Sequence, residues 1–296
     1  MLNSIRKIVV PTDFSDLSKV AARSAASLAV PEAASIHLLH VIRLPFLHTT
    51  YDVNIPEAVW EGLRKGMHER MDETRLELEG LGVTDVHQIV SESLQPAEAI
   101  VQSIEKLDAD LVVMATHGRQ GVKRVLLGSV TERTVRTSPV PVLSVKGHGI
   151  HESPIQRILL ASDFSSHSRQ ALSLACSLAK RFDAQIDVLH VLDECPDYVK
   201  SLSAEIGSFE ERARAMGGQH LETMGREIRA ANLSAKTHLR KGLAVEMIAS
   251  EAERLESDLI VMGTRGHTGF AHVTLGSVAE RTLRLAPCSV LTTRSE

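Results

Sequence analysis

Short apolar runs alternate with longer segments of helical periodicity along the 296 residues of the chain. The runs KIVVP (7–11) and DLVVMA (110–115) are almost continuously apolar, as is typical of parallel strands that are covered on both faces. Because strands joined by helices favour right-handed crossovers, the pattern predicts an α/β fold with a doubly wound parallel sheet. In the first half we expect strands near 6–11, 35–42, 84–91, 110–115 and 140–145, and helices near 15–30, 56–80, 95–107 and 129–137.

The same pattern occurs a second time in the chain. Residues 7–29 (KIVVPTDFSDLSKVAARSAASLA) match residues 157–179 (RILLASDFSSHSRQALSLACSLA), and a glycine-punctuated stretch at 114–130 returns at 262–278. A repeat of this length indicates a duplicated domain rather than a solenoid. The sequence therefore predicts two tandem domains, 1–147 and 154–296, with second-half strands near 157–162, 185–192, 234–240, 257–263 and 288–293.

The last strand of each half begins with proline, in SPVPVLSV and APCSVLTT. Proline is tolerated on an edge strand, and an apolar edge strand needs cover. We therefore expect the two last strands to pair with each other and to form a pseudo-dimer within one chain.

Composition excludes several classes of protein. The net charge is -4 and Lys and Arg are scattered, which does not favour nucleic-acid binding. There is no run of 18 apolar residues and no apolar signal-peptide core, so we expect a cytosolic protein that binds no membrane. The cysteines Cys176, Cys195 and Cys288 have no CxxC spacing, so we interpret them as packing residues and expect no metal site.

In a doubly wound sheet a ligand binds at the carboxyl ends of the strands, where the winding reverses. Strand 4 of the second half ends in a G-x-x-G pattern that is followed, after nine residues, by Gly-Ser at the start of a helix. Backbone amides at such a helix start form a natural phosphate site. Alternatively, the S-x-x-E sequences that begin at Ser129 and Ser277 are simple capping boxes. The pattern is neither a Walker A loop nor the dinucleotide fingerprint.

Strand 1 of each half ends at an aspartate, Asp13 or Asp163. A carboxylate there is suited to accept hydrogen bonds from ribose hydroxyls or a base amino group, or else it forms an Asx-turn before the next helix. His40 and His190 end strand 2 without a catalytic or metal partner, so we interpret them as packing residues. His148 and His151, in the joint between the halves, would need metal-binding partners that the sequence does not show. For Arg119, Lys123, Arg124, Arg265, His267 and His272 the default interpretation is solvated surface, and the alternative is a charge-assisted contact to the phosphates.

Together these motifs resemble the tandem universal stress proteins of the ATP-binding branch, and the resemblance covers nearly all of both halves. It implies two Rossmann-like (adenine nucleotide alpha hydrolase-like) domains, each a parallel sheet of order 3-2-1-4-5 that associates through strand 5. It also implies that ATP, with or without Mg²⁺, binds between strands 1 and 4. In the first half the implied contacts are Pro11, Thr12, Asp13, Val41, Met114, Ala115, Gly118, Gly128, Ser129, Val130 and Thr131. In the second half they are Ala161, Ser162, Asp163, Val191, Met262, Gly263, Gly266, Gly276, Ser277, Val278 and Ala279.

Each half departs from the family pattern at one position. Ala115 replaces the first glycine, which costs about 1 kcal/mol if that position needs a positive φ. Ala279 lacks the hydroxyl that Thr131 offers to a phosphate, a contact worth about 1 kcal/mol. Because a backbone clash is harder to relieve, we predict that the second site binds ATP more tightly, which calorimetry on Gly266→Glu and Gly118→Glu tests.

The resemblance favours a cytosolic, ATP-binding stress-response regulator over two other classes. One alternative is a slow ATPase, for which the sequence offers no paired carboxylates, no Ser-His-Asp arrangement and no catalytic residue. The other is a nucleotide-free interaction scaffold, against which the retained glycines argue. We expect as partners an adenine nucleotide, further copies of the chain and an unidentified protein.

Overall fold

The computed structural model describes residues 5–43, 57–116, 127–147, 149–150, 155–194, 205–266 and 275–294. The chain divides into two compact units between Glu152 and Ser153. None of the helices in these described ranges is both long and apolar enough to cross a membrane.

The first unit is a parallel sheet with helices between its strands. Its strand order is β3-β2-β1-β4-β5, which confirms the predicted order 3-2-1-4-5. Helix α1 packs beside α2, and α3 packs beside α4. The elements are β1 (Lys7–Pro11), α1 (Asp16–Ala29), a 3-10 turn (Val30–Glu32), β2 (Ser35–Arg43), α2 (Glu57–Gly80), β3 (Val86–Ser93), α3 (Pro96–Leu107), β4 (Leu111–Ala115), α4 (Ser129–Thr137) and β5 (Val142–Val145).

The second unit repeats this arrangement. Its strands are parallel and lie in the order β8-β7-β6-β9-β10. Predicted and observed ends of the strands and of the first-half helices agree within two residues, because the apolar periodicity that predicts them also sets their burial. The elements are β6 (Arg157–Ala161), α5 (Ser166–Phe182), β7 (Gln185–Leu192), α6 (Glu205–Ala230), β8 (Ala235–Lys241), α7 (Ala244–Arg254), β9 (Leu259–Gly263), α8 (Ser277–Leu285) and β10 (Ser289–Thr293).

The core of each unit lies on the two central strands. In β1 the side chains of Ile8, Val9 and Val10 have no exposed surface, as a strand covered on both faces requires. Strand β4 pairs directly with β1, with Ile8 opposite Leu111. The carboxyl ends of β1 and β4 therefore open at the same edge of the sheet, where the winding direction reverses.

Candidate functional site

The turn after the first strand holds a phenylalanine in the left-handed backbone region in both units. Phe14 has a φ of 64° and Phe164 a φ of 66°. Bulky side chains rarely adopt this conformation, which costs about 1–3 kcal/mol. The amide of Phe14 donates to Oγ1 of Thr12 at 3.1 Å. The amide of Phe164 donates to Oγ of Ser162 at the same distance, so the same strained turn is built twice.

A histidine from the second strand supports each turn. Nδ1 of His40 lies 2.8 Å from the carbonyl oxygen of Thr12, and Nδ1 of His190 lies 2.8 Å from that of Ser162. A carbonyl oxygen only accepts, so the proton is on Nδ1 in both residues. The imidazole of His190 also lies against the ring of Phe164, with 4.2 Å between centroids. These histidines pack against the turn and fix its carbonyl group.

The aspartate of each turn uses one carboxylate oxygen to hold the following helix start. Oδ1 of Asp13 accepts from the amide of Ser15 at 3.1 Å and from its hydroxyl at 2.6 Å. Oδ1 of Asp163 accepts the same two bonds from Ser165 and a third from the Ser168 hydroxyl at 2.5 Å. Both aspartates thus form the Asx-turn that the sequence left open. The turn fixes the direction of the carboxylate.

The glycines of the second unit permit close approach between loops. A Cβ on Gly266 would lie 2.5 Å from Oδ2 of Asp163, and a Cβ on Gly276 would lie 3.0 Å from the carbonyl oxygen of Thr264. Real Cβ atoms essentially never approach as closely as the first of these distances. The G-x-x-G loop is therefore in direct contact with the aspartate turn and with the start of α8.

The first glycine of the pattern is required for a different reason from the one expected. Gly263 is the last residue of β9 and pairs with Thr293, and its φ is not positive. A Cβ there would meet Cβ of His167 at 2.9 Å. Ala115 likewise ends β4 and pairs with Val145 in extended backbone. The expected φ penalty at Ala115 is wrong, because this position belongs to a strand.

The N-cap residue of α4 and of α8 is a glycine, and the serine that follows it is the first residue of the helix. Gly128 and Gly276 are the N-caps, with φ near -62° and no side-chain capping bond. The capping-box interpretation is therefore wrong, because glycine occupies the cap and the serine falls one residue inside the helix. The first helical bonds run from Glu132 to Gly128 and from Glu280 to Gly276. Backbone amides that precede these bonds have no acceptor in their own helix. They belong to Ser129, Val130, Thr131, Ser277, Val278 and Ala279.

The hydroxyl of Thr131 does not face a phosphate site. It donates to the carbonyl oxygen of Ala115 at 2.8 Å, and the residue is only 4% exposed. The expected phosphate contact of this hydroxyl is wrong, because the end of β4 supplies a nearer acceptor. Ala279, at the matching position in α8, therefore lacks the hydrogen bond from helix to strand that the Thr131 hydroxyl makes, rather than a ligand contact. The predicted ranking of the two sites loses both of its physical reasons.

In the second unit these parts enclose a cavity of about 420 Å³. This volume lies within the usual range for small-molecule sites. Every second-half residue that the family resemblance implies as a contact lines it: Ala161, Ser162, Asp163, Val191, Met262, Gly263, Gly266, Gly276, Ser277, Val278 and Ala279. Others in the lining are Ser168, Leu189, His190, Leu192, Asp193, Ala244, Ile248, Thr264 and Arg265.

Sequence reasoning missed the wall that α7 provides. Ala244 and Ile248 line the cavity from the first turns of this helix. The sequence could have predicted this wall. Strand β8 is parallel to the others and ends at the same edge of the sheet, so the helix that follows it, α7, must begin beside the cavity. An apolar wall opposite polar turn residues suits a ligand with a flat apolar part and a polar part.

The described residues of the first unit occupy matching positions. Strand β1 ends at Pro11 and strand β4 ends at Ala115, and Val41 lies two residues before the end of β2. Thr12 and Asp13 form the turn, Met114 lies in β4, and Gly128 to Thr131 start α4. Several sequence candidates lie outside the described residues: Gly118, Arg119, Lys123, Arg124, His148, His151, Cys195, His267 and His272.

Comparison with known proteins bears directly on these two units. The family model described as the universal stress protein family matches residues 4–146 and again 154–294. The chain belongs to the universal stress protein family. Since the two matches fall one on each unit, it is a tandem universal stress protein.

Individual relatives agree with this assignment. Universal stress protein MJ0531 of Methanocaldococcus jannaschii is 37% identical over 148 residues, which cover 49% of this chain and 84% of that protein. Universal stress protein E of Escherichia coli K12 is 27% identical over 205 residues, covering 67% of this chain and 64% of that protein. The crystal structure of a universal stress protein from Archaeoglobus fulgidus matches 97% of this chain and 98% of its own, with a TM-score of 0.72 at 23% identity. That likeness shows that this tandem universal stress protein and the Archaeoglobus fulgidus protein have the same fold.

Proposed function

We propose that the cavity of the second unit binds an adenine nucleotide, ATP in the first instance, and that the chain is a nucleotide-dependent regulator of a cytosolic stress response. The observation that carries this proposal is the lining of the 420 Å³ cavity. It brings together residues from the ends of β6, β7 and β9 with the starts of α7 and α8, which are far apart in the sequence.

The parts of the cavity suit the parts of such a ligand. Amides at the start of α8 have no acceptor in their helix and lie at its positive end, which favours phosphate oxygens. Asp163 is held by its Asx-turn, so its carboxylate is oriented to accept from ribose hydroxyls or a base amino group. Met262 and Ile248 supply an apolar wall for the base.

The residues present fit a nucleotide better than a protein-bound metal. No group of three potential metal ligands occurs among the residues that the structure describes. Mg²⁺ commonly binds through substrate phosphates and few protein ligands. In this proposal any Mg²⁺ would come with the ATP. The regulator then acts through association with further copies of the chain or with a protein partner whose affinity depends on the nucleotide.

Native mass spectrometry of the full chain with added ATP tests the proposal. We expect the mass of a bound nucleotide, and we expect Gly266→Glu to remove one bound nucleotide because the new side chain would meet Asp163. Gly218→Glu is the matched control, since a Cβ at Gly218 in α6 meets nothing within 4 Å. The chain functions as a nucleotide-free scaffold instead if wild-type protein takes up no nucleotide at millimolar ATP. Equal nucleotide loss in both variants would also contradict this site assignment.

A further inference from the structure

One arginine gives the second cavity its only positive side chain among the described lining residues. The charged side chains of that lining are Asp163, Asp193 and Arg265. Arg265 lies between the two glycines of the G-x-x-G loop and is half-buried. Within the described ranges no carboxylate forms an ion pair with it. A guanidinium that is partly removed from water favours an anionic partner, and a phosphate-bearing ligand in the cavity would supply one.

The main chain of Arg265 adjoins the start of α8. Its Cα lies 3.6 Å from the position of a Cβ on Gly276, which is the N-cap of that helix. The side chain of Arg265 is therefore attached at the end of the cavity where the helix amides lie. It is long enough for its guanidinium to reach a phosphate group bound there.

The surroundings of Arg265 are basic. His167, in the first turn of α5, lies against Gly263. Burial lowers the pKa of His167, and the positive charge of Arg265 lowers it further. The negative charge of Asp163 raises the pKa of His167, and the positive charge of Arg294 lowers it. An additional negative charge at this end of the cavity would be favourable.

We propose that Arg265 makes the second site selective for the more highly charged adenine nucleotides, ATP and ADP, over AMP. This inference rests on the proposed nucleotide function. The helix amides serve any nucleotide that carries a phosphate, whereas Arg265 adds a charge-assisted contact for the phosphates beyond the first. In the sequence, the first half carries His117 at the matching position, so the selectivity belongs to the second half.

The test measures affinities of the full chain for ATP, ADP and AMP by calorimetry at pH 7.5. Gly266→Glu protein supplies the first-site background, which is subtracted. We expect Arg265→Met to weaken second-site binding of ATP by about tenfold or more, and to leave AMP within about twofold. Arg265→Lys should keep part of the selectivity, because it keeps the charge without the forked geometry.

Retained AMP binding shows that the Arg265→Met protein is folded at the site. Arg169→Met is the matched control, since Arg169 lies on the surface of α5, outside the lining, and pairs with Glu227 at 2.9 Å. The inference is overturned if Arg265→Met weakens ATP and AMP equally, or changes neither. If wild-type protein binds none of the three nucleotides, the proposed function fails and this inference fails with it.

Discussion

Replacing Gly266 by alanine tests the geometry of the second site with a single carbon atom. The added Cβ would lie 2.5 Å from Oδ2 of Asp163, far inside the 3.4 Å at which ordinary contact begins. Either the carboxylate or the glycine loop has to move. Both form walls of the same cavity.

The magnitude follows from what holds the carboxylate. Oδ1 of Asp163 accepts from the amide and hydroxyl of Ser165 and from the hydroxyl of Ser168, at 3.1, 2.6 and 2.5 Å. Rotating the carboxylate away from alanine breaks at least one of these bonds to a charged group, which costs about 1.5–3 kcal/mol. We expect the free energy of unfolding of the second unit to fall by that amount. The affinity of the second site for ATP should fall about tenfold or more, because the displaced carboxylate no longer faces the ligand.

Urea unfolding followed by circular dichroism, together with calorimetry for ATP, measures both effects. Gly218→Ala is the matched control. Alanine there meets nothing within 4 Å and removes a glycine from the interior of α6, so it should raise the free energy of unfolding by up to about 1 kcal/mol. If Gly266→Ala is as stable as the wild type and binds ATP equally well, the close contact between the glycine loop and the Asp163 carboxylate does not exist.

Three further outcomes follow from other contacts. Thr131→Val removes the bond to the end of β4 from a residue that is 4% exposed, so urea unfolding should show a loss of about 1 kcal/mol. Burial alone would raise the pKa of Glu251, but hydrogen bonds from Arg254 and Arg240 hold that pKa below its usual range. Glu251→Gln should therefore cost about 1.5 kcal/mol of stability near pH 7, and the difference from wild type should shrink as the pH falls and the wild-type carboxylate takes up a proton. The pKa of His167 is lowered, so below its ordinary value of 6.5 the unfolded chain takes up a proton first. The stability of the wild type should then fall more steeply between pH 7 and pH 5 than that of His167→Gln, and parallel urea-unfolding curves for the two proteins would contradict the burial of this imidazole.

Local pattern alone predicted the α/β class and the doubly wound parallel sheet of this protein, whereas the strand order 3-2-1-4-5 was implied by the family resemblance. Continuous apolar runs such as Ile8 to Val10 are typical of strands covered on both faces, and the helical periodicity between the runs predicts the covering helices. Self-similarity of the chain established the duplication. The position of the cavity could be predicted from the ends of β1 and β4, because the carboxyl ends of neighbouring parallel strands lie at the same edge of the sheet. The pairing of the two last strands, β5 with β10, stays a prediction.

Only the tertiary structure decided which donor meets which acceptor. The sequence contained Ser129 and Glu132 in the spacing of a capping box, yet glycine takes the cap. It also contained the hydroxyl of Thr131, which bonds to β4 instead of facing a ligand. These outcomes depend on distances of a few tenths of an ångström between atoms of separate elements, whereas spacing along the chain fixes only which residues share an element. For the same physical reason, the need for glycine at position 263 became visible only when α5 had been packed against β9.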